Sequence, residues 1–228
     1  MMARRPGTGS LMNSTPLWLS TLAEAARTMP VPAPMRPPAQ GGRESAVLIL
    51  FGESDRGPDL LLIQRRDGLR RHSGQPAFPG GRIEITDPSP EAAALREAEE
   101  ETGAIPSGIE VVGRLPELYL SFSDFRVAPV LGWWREPSEV HAADTGEVAA
   151  VSRVAIADFA NPANRVKVRY GDGPMWGPGF RVNDMLVWGF TGQIIDSLLV
   201  LGGWELPWRR RGLTDEFEAT PQGLRPVG

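Results

Sequence analysis

The chain has 228 residues, with 24 Lys and Arg against 28 Asp and Glu, so its formal net charge is −4. This balance excludes a molecule-wide basic surface of the kind that binds nucleic acid. The chain has no cysteine and only two histidines, which excludes disulfides, a thiol nucleophile and metal sites built from Cys or several His. Any bound metal would need oxygen ligands, which are typical of Mg²⁺, Mn²⁺ or Ca²⁺.

No segment has the pattern of a membrane span or a secretion signal. The most apolar stretch, residues 185–204, contains Gln193, Asp196 and several glycines, which is more typical of a core helix than of a bilayer helix. The N-terminus has no apolar segment typical of a signal peptide. We therefore expect a cytoplasmic protein with no membrane partner and no nucleic-acid partner.

Residues 1–45 are predicted to form an N-terminal arm outside the compact domain. Residues 16–27 have the apolar spacing of one short amphipathic helix. Five prolines between positions 30 and 38 then predict an extended connector, because proline does not continue a helix. A flexible arm is the simpler interpretation, and a strap across the partner of a homodimer is the alternative.

The compact domain is predicted to span residues 46–208, followed by a polar tail over residues 209–228. Short apolar runs bounded by turn residues predict its strands. These strands cover residues 46–51, 59–64, 110–115, 125–134, 147–156 and 180–187. Helices are predicted over residues 90–102 and 188–201. Ser89 is placed to cap the first of them, and Gly103 is placed to end it.

Two adjacent segments carry opposite charge. The first contains five arginines: Arg65, Arg66, Arg70, Arg71 and Arg82. The second contains seven carboxylates: Glu84, Asp87, Glu91, Glu97, Glu99, Glu100 and Glu101. At about 100° per residue, Glu97, Glu100 and Glu101 share one stripe of the predicted helix.

Three carboxylates on one stripe repel each other, and a divalent cation would convert that repulsion into binding. Arg96 precedes Glu97 and is placed to orient the carboxylates by hydrogen bonding. The loop over residues 78–81 contains two glycines that let the backbone come close to this stripe. The pattern therefore predicts a site for Mg²⁺ or Mn²⁺, with open positions for substrate phosphates.

This segment resembles the signature of the Nudix hydrolases. Arg96, Glu97, Glu100, Glu101 and Gly103 are in the register of that signature, with Gly81 at its start. Asp87 stands where the family usually has Glu, and eight residues instead of seven separate it from Arg96. The resemblance implies an α/β fold, an α/β/α sandwich with a mixed β-sheet. It also implies cleavage of a diphosphate bonded to another moiety, with Glu97, Glu100 and Glu101 as ligands of Mg²⁺ or Mn²⁺.

The upstream residues 61–81 are similar to the motif of the coenzyme A diphosphatase branch of that family. The agreeing positions are Leu61, Leu62, Arg65, Leu69, Arg70, His72, Gly74, Phe78, Pro79, Gly80 and Gly81. The departing positions are Ile63, Arg66 and Pro76. The resemblance covers about residues 45–205 and implies hydrolysis of coenzyme A to 3′,5′-ADP and 4′-phosphopantetheine.

The resemblance also implies roles for individual residues. Arg65, Arg70 and Arg71 would bind substrate phosphates, as arginine clusters do. Gly80 and Gly81 would permit close approach of the substrate. The catalytic set would be Glu97, Glu100, Glu101 and Arg96. Glu101 is the first assignment for the base that deprotonates the attacking water, and Glu147 is the second.

Other interpretations stay open at this point. Glu84 and Glu147 are extra ligands or bases, or they are ordinary structural or surface residues. His72 is an acid or substrate contact, or it hydrogen-bonds the backbone and holds its loop. The substrate is a coenzyme A derivative or another nucleoside diphosphate derivative, such as ADP-ribose or a nucleoside triphosphate. A non-catalytic module that senses a nucleotide is the more distant alternative.

Overall fold

The computed structural model describes residues 14–66, 74–170, 176–207, 216–220 and 223–227. Its helices are α1 (Leu17–Ala26), α2 (Pro90–Thr102), α3 (Ile156–Ala160) and α4 (Gly189–Leu201). The first strands are β1 (Arg43–Ser54), β2 (Gly57–Arg65), β3 (Pro76–Ala77), β4 (Gly80–Arg82), β5 (Ile109–Arg114), β6 (Leu118–Leu120) and β7 (Phe125–Trp134). The later strands are β8 (Val148–Ala155), β9 (Arg165–Tyr170), β10 (Trp176–Val182), β11 (Met185–Val187), β12 (Glu216–Thr220) and β13 (Gly223–Pro226).

The main sheet is mixed and has the strand order β3-β2-β1-β7-β5. Strand β1 runs parallel to β7 and antiparallel to β2. Strands β4, β6 and β8 pair with β1, β7 and β2 respectively. A second sheet has the order β11-β10-β9-β12-β13, with β9 and β12 parallel.

Helices cover both faces of the main sheet, because successive side chains of a strand point to opposite faces. Leu48 and Leu50 of β1 pack in one core cluster with the alanines of α2. Ile49 and Phe51 pack in the other cluster, with buried residues of α1, α3 and α4. The arrangement confirms the predicted α/β/α sandwich with a mixed sheet.

The structure corrects the description of residues 14–45 as an arm outside the domain. The predicted helix is present as α1, but Leu19 and Leu22 are fully buried, at 0% and 1% exposure. They share a core cluster with Phe51 and Trp133 of the main sheet. Helix α1 thus belongs to the compact domain, because its apolar face is buried within its own chain rather than against a partner.

Two predictions near the C-terminus also need correction. The single strand predicted over residues 180–187 is a hairpin of β10 and β11, because Asn183 and Asp184 adopt left-handed backbone conformations and turn the chain. The segment predicted as a polar tail contributes β12 and β13, and β12 pairs with β9. No helix in the described part of the chain has the length and hydropathy of a membrane span.

Candidate active site

Helix α2 begins and ends at the predicted residues and presents the acidic stripe. The Ser89 side chain accepts a hydrogen bond from the backbone N–H of Ala92, and Gly103 ends the helix in a left-handed conformation at φ 71°. Ala94 and Ala98 are fully buried against β1. The helix can therefore lie close to the sheet.

The two glycines of β4 lie against the carboxylates of α2. Glu101 Oε2 accepts a 2.8 Å hydrogen bond from the backbone N–H of Gly80. A Cβ atom at Gly81 would lie 2.4 Å from Glu97 Oε1, and one at Gly80 would lie 2.4 Å from the carbonyl oxygen of Ala46. Gly80 therefore requires glycine, because the nearest atoms around it belong to the backbone of Ala46 and Val47. A side chain at Gly81 would instead displace the Glu97 carboxylate from its present position. The predicted contact of both glycines with substrate stays a prediction.

Arg96 is the centre of an ion-pair cluster on the same face. Its guanidinium donates to both carboxylate oxygens of Asp87, at 3.1 and 3.0 Å. Its Nη1 donates to Glu97 Oε1 and to Glu100 Oε2, each at 3.0 Å. The predicted role of Arg96 in orienting the carboxylates matches this geometry.

Asp87 completes the Arg96 cluster although it is shorter than the family's usual Glu. Its Oδ2 also accepts a 2.8 Å hydrogen bond from the backbone N–H of Glu84. The Arg96 hydrogen bond, followed by the Glu84 N–H, lowers the pKa of the Asp87 carboxyl, and Asp87 in turn raises the pKa of Arg96. The Glu84 side chain itself is exposed.

Burial gives two of the α2 carboxyls unusual proton affinity. Glu101 is only 5% exposed, and its burial raises its pKa to about 7 against the opposing effects of the Gly80 N–H and Arg65. Burial also raises the pKa of Glu97, against the opposing effect of Arg96. The negative charge of Glu147 raises both values further.

Arg65 links Glu147 to the α2 carboxylates. Its Nη2 donates to Glu147 Oε2 at 2.8 Å, and its Nη1 lies 3.7 Å from Glu101 Oε1. From the sequence, a role of Glu147 in the site is only one of two open interpretations. The turn residues Asp144 and Gly146 just before it are the signal that marks a loop there, but pairing with Arg65 depends on the distant strand β2.

The residues fit a hard divalent cation in donor type, but their oxygens do not converge on one point. Within the described ranges, no three Asp, Glu or His side chains form a ready-made metal-ligating group. In this arrangement Arg96 binds Glu97 and Glu100, while the Gly80 N–H and Arg65 contact Glu101. Glu97 packs closely against Gly81, and the neighbouring carboxylates repel one another. Both features still favour a cation at this face. The predicted ligand set therefore stays a prediction.

Three predicted residues lie outside the described part of the chain. Arg70, Arg71 and His72 fall in the gap at residues 67–73. Of the three arginines predicted to bind phosphate, only Arg65 is described.

Comparison with known proteins agrees with this architecture. A family model described as the NUDIX domain matches residues 42–171. A curated relative named as an uncharacterized Nudix hydrolase NudL, from Escherichia coli O7:K1, is 40% identical over 160 residues, which is 68% of this chain and 81% of the relative.

Solved structures are similar over about half of the chain. A Nudix hydrolase from M. smegmatis, RenU, covers 53% of this chain and 75% of its own, at 23% identity and a TM-score of 0.44. An Ap4A hydrolase from C. elegans covers 50% and 82%, at 18% identity and a TM-score of 0.42. Nudix hydrolases generally use divalent metal ions. Since the family model matches more than half of the chain, this protein belongs to the Nudix family of hydrolases, which cleave phosphoanhydride bonds.

Proposed function

We propose that this Nudix hydrolase cleaves the diphosphate bond of coenzyme A or a derivative, giving 3′,5′-ADP and 4′-phosphopantetheine or its acyl form. The observation that carries the proposal is the run over residues 61–81, which is similar to the coenzyme A diphosphatase motif. In the described part of that run, Arg65, Gly80 and Gly81 lie against the α2 carboxylates. These contacts support the proposal, because they bring the described part of the run and the acidic stripe to one face.

In the proposed site, Glu97, Glu100 and Glu101 hold Mg²⁺ or Mn²⁺. The bound cation supplies neutralisation of the charge that develops on the diphosphate oxygens. Arg96 keeps the Glu97 and Glu100 carboxylates oriented, and its own position is held by Asp87. Arg65, with Arg70 and Arg71, positions substrate phosphates by charge-assisted hydrogen bonds.

Glu101 is the proposed base that takes the proton of the attacking water. Its Oε2 is fixed by the Gly80 N–H, so Oε1, on the side of Arg65, is the oxygen placed to accept that proton. Burial raises the pKa of Glu101 to about 7 without a cation, so this carboxyl takes up a proton more readily than an exposed glutamate does. Glu147, which shares Arg65 with Glu101, is the second candidate.

The test is a substrate panel of coenzyme A, ADP-ribose and a nucleoside triphosphate, each with Mg²⁺, Mn²⁺ or a chelator. We expect cation-dependent release of 3′,5′-ADP from coenzyme A, reduced at least about 100-fold in a Glu101→Gln variant. Glu99→Gln is the matched control, because Glu99 is exposed on the opposite side of α2.

Each other outcome has a definite meaning. Turnover of ADP-ribose or a triphosphate without turnover of coenzyme A would keep the family's chemistry and exclude the coenzyme A assignment. Ligand binding without turnover of any compound would favour a nucleotide-sensing module instead.

A further inference from the structure

The segment that bears Glu147 is fastened to the C-terminal end of α2. The backbone N–H of His141 donates to the carbonyl oxygen of Thr102 at 3.0 Å, and that of Ala143 donates to the carbonyl of Glu101 at 3.1 Å. These hydrogen bonds therefore place the loop directly beside Glu101, the residue proposed as the base. Up to residue 143 the loop is held by carbonyl groups at the C-terminal end of α2, which have no hydrogen-bond partner within the helix.

From residue 144 onward, Asp144 shapes the turn through both its side chain and its backbone carbonyl, which accepts from the N–H groups of Glu147 and Val148. Asp144 Oδ1 accepts hydrogen bonds from the backbone N–H groups of Gly146, at 2.8 Å, and Glu147, at 3.3 Å. The carbonyl oxygen of Asp144 accepts from the N–H of Val148 at 2.8 Å. An aspartate that bonds the backbone two and three residues ahead closes a tight turn. The turn ends at Glu147.

Arg66 holds the same turn from the other side. Its backbone N–H donates to the carbonyl oxygen of Glu147 at 2.7 Å, and its Nη1 donates to the carbonyl oxygen of Thr145. Arg66 is one of the positions that depart from the coenzyme A diphosphatase motif. The Arg66 side chain thus binds the protein backbone, whereas Arg65, Arg70 and Arg71 are expected to bind substrate phosphates.

A β-bulge in the pairing of β2 with β8 sets the position of Arg65 relative to Glu147. In the β2–β8 ladder, Gln64 pairs with Ala150 but Arg65 pairs with Val148, so the register shifts by one residue at this point. A bulge re-aims the side chains next to it. Here it brings Arg65 and Glu147 together on the side of the sheet that also holds Glu101.

We propose that Asp144 and Arg66 are positioning residues that hold Glu147 against Arg65 at the active site, and that Glu147 in that position promotes diphosphate hydrolysis. Asp144 and Arg66 act on the backbone of residues 145–147 and so place the Glu147 carboxylate, which is 54% exposed and has no burial to hold it. The inference rests on the proposed hydrolysis. It requires only that the protein hydrolyses at least one of the three compounds tested above: coenzyme A, ADP-ribose or a nucleoside triphosphate.

The kinetic test compares Asp144→Ala with Asp144→Asn. The alanine variant removes the acceptor, and we expect kcat to fall about 10-fold with KM changed less than about 2-fold, because the position of Glu147 is lost while substrate contacts remain. Asparagine retains an acceptor oxygen at the same place, so we expect its kcat within about 3-fold of the original. Glu139→Ala removes an exposed carboxylate from the same segment and is the matched control.

A double-variant cycle distinguishes positioning from general damage. If Asp144 acts through Glu147, the loss caused by Asp144→Ala disappears in a Glu147→Gln background. An equal loss in both backgrounds, unchanged kcat in Asp144→Ala, or full activity of Glu147→Gln would each overturn the inference. Arg66→Met should behave as Asp144→Ala does, since it removes the donor to Thr145.

A measurement independent of activity follows the loop itself. Hydrogen exchange at the amide of Gly146, which donates to Asp144 Oδ1, should accelerate in Asp144→Ala and stay slow in Asp144→Asn. Faster exchange with unchanged kcat would show a structural turn only and would overturn the inference. If coenzyme A is not hydrolysed but ADP-ribose is, the substrate proposal fails while the loop inference is judged on ADP-ribose. If no compound is hydrolysed, both fail.

Discussion

At the scale of single residues, Glu101 is a buried carboxyl that lies close to the carboxylates of Glu97 and Glu147. The side chain is almost fully enclosed, and one oxygen has the Gly80 N–H as its partner. The folded-state pKa is about 7, above the ordinary value of 4.5. The folded protein thus binds this proton more tightly than the unfolded chain does.

That shift predicts a pH dependence of stability in the absence of a cation. Between pH 4.5 and 7 the folded state retains the Glu101 proton and the unfolded state has lost it, so the free energy of unfolding falls as the pH rises through this range. The total is on the order of 2–3 kcal/mol. Urea denaturation in chelator at pH 5 and at pH 7.5 measures it. The Glu101→Gln variant should lack this part of the pH dependence, and identical profiles for both proteins would contradict the pKa assignment.

Asp87 is the second residue whose role is decided at this scale. Replacing it by alanine removes the two Asp87 oxygens that accept hydrogen bonds from Arg96. Arg96 then holds the Glu97 and Glu100 carboxylates less firmly, because two of its own hydrogen bonds are lost. We expect kcat to fall about 10-fold. Steady-state kinetics with Glu84→Ala as control checks it, because the Glu84 side chain is exposed and its hydrogen bonds with Asp87 are made by its backbone, which the substitution keeps. Equal losses in the two variants would indicate that Glu84 also serves the site.

At the scale of elements, the helix α2 is predicted from sequence to the residue at both ends. Its cap, its N-terminal proline and its terminal glycine act through local backbone geometry, which the sequence specifies directly. The hairpin of β10 and β11 was missed because apolar residues flank its two-residue turn closely on both sides, so that the whole segment resembles one strand. The Asn183-Asp184 pair, two residues tolerant of left-handed backbone, is the signal that marks it.

The capping of α2 predicts a separable effect on stability. Ser89→Ala removes the acceptor for the Ala92 N–H, and we expect the free energy of unfolding to fall by about 1 kcal/mol. Chemical denaturation measures it. Ser20→Ala, at an exposed position within α1, should change it by less than about 0.5 kcal/mol. If Ser89→Ala leaves the free energy of unfolding unchanged, the hydrogen bond from the Ala92 N–H to Ser89 stabilises the protein no more than one to water does.

At the scale of the whole molecule, the N-terminal helix is part of the core rather than an accessory. Trp18 contacts Phe51, Trp133 and Trp204 edge to face, at centroid distances of 5.5, 6.3 and 5.3 Å. These aromatic contacts join α1, the main sheet and the segment after α4. The second sheet also includes strands from the segment that sequence analysis treated as a tail.

This placement predicts that α1 is required for stability. Leu22→Ala leaves a cavity at a site that is 1% exposed, and we expect a loss of about 3 kcal/mol in the free energy of unfolding. Leu17→Ala, at an 83% exposed position of the same helix, should cost less than about 0.5 kcal/mol. Urea denaturation of both variants decides it. A small effect at both positions would restore the interpretation of a detachable arm.

The sequence by itself determined the acidic helix, the family and the positions of β1, β2, β5, β7 and β8 along the chain. Those features depend on residues close together in the chain: the spacing of Glu97, Glu100 and Glu101, the caps of α2 and short apolar runs. Only the tertiary structure decided that α1 enters the core, that Asp87 holds Arg96, and that Asp144 and Arg66 bring Glu147 to Arg65. The contact of Trp18 in α1 with Trp133 and those of Arg65 and Arg66 with residues 145–147 join residues about 80 or more positions apart. Their partners are selected by sheet register and packing rather than by local pattern.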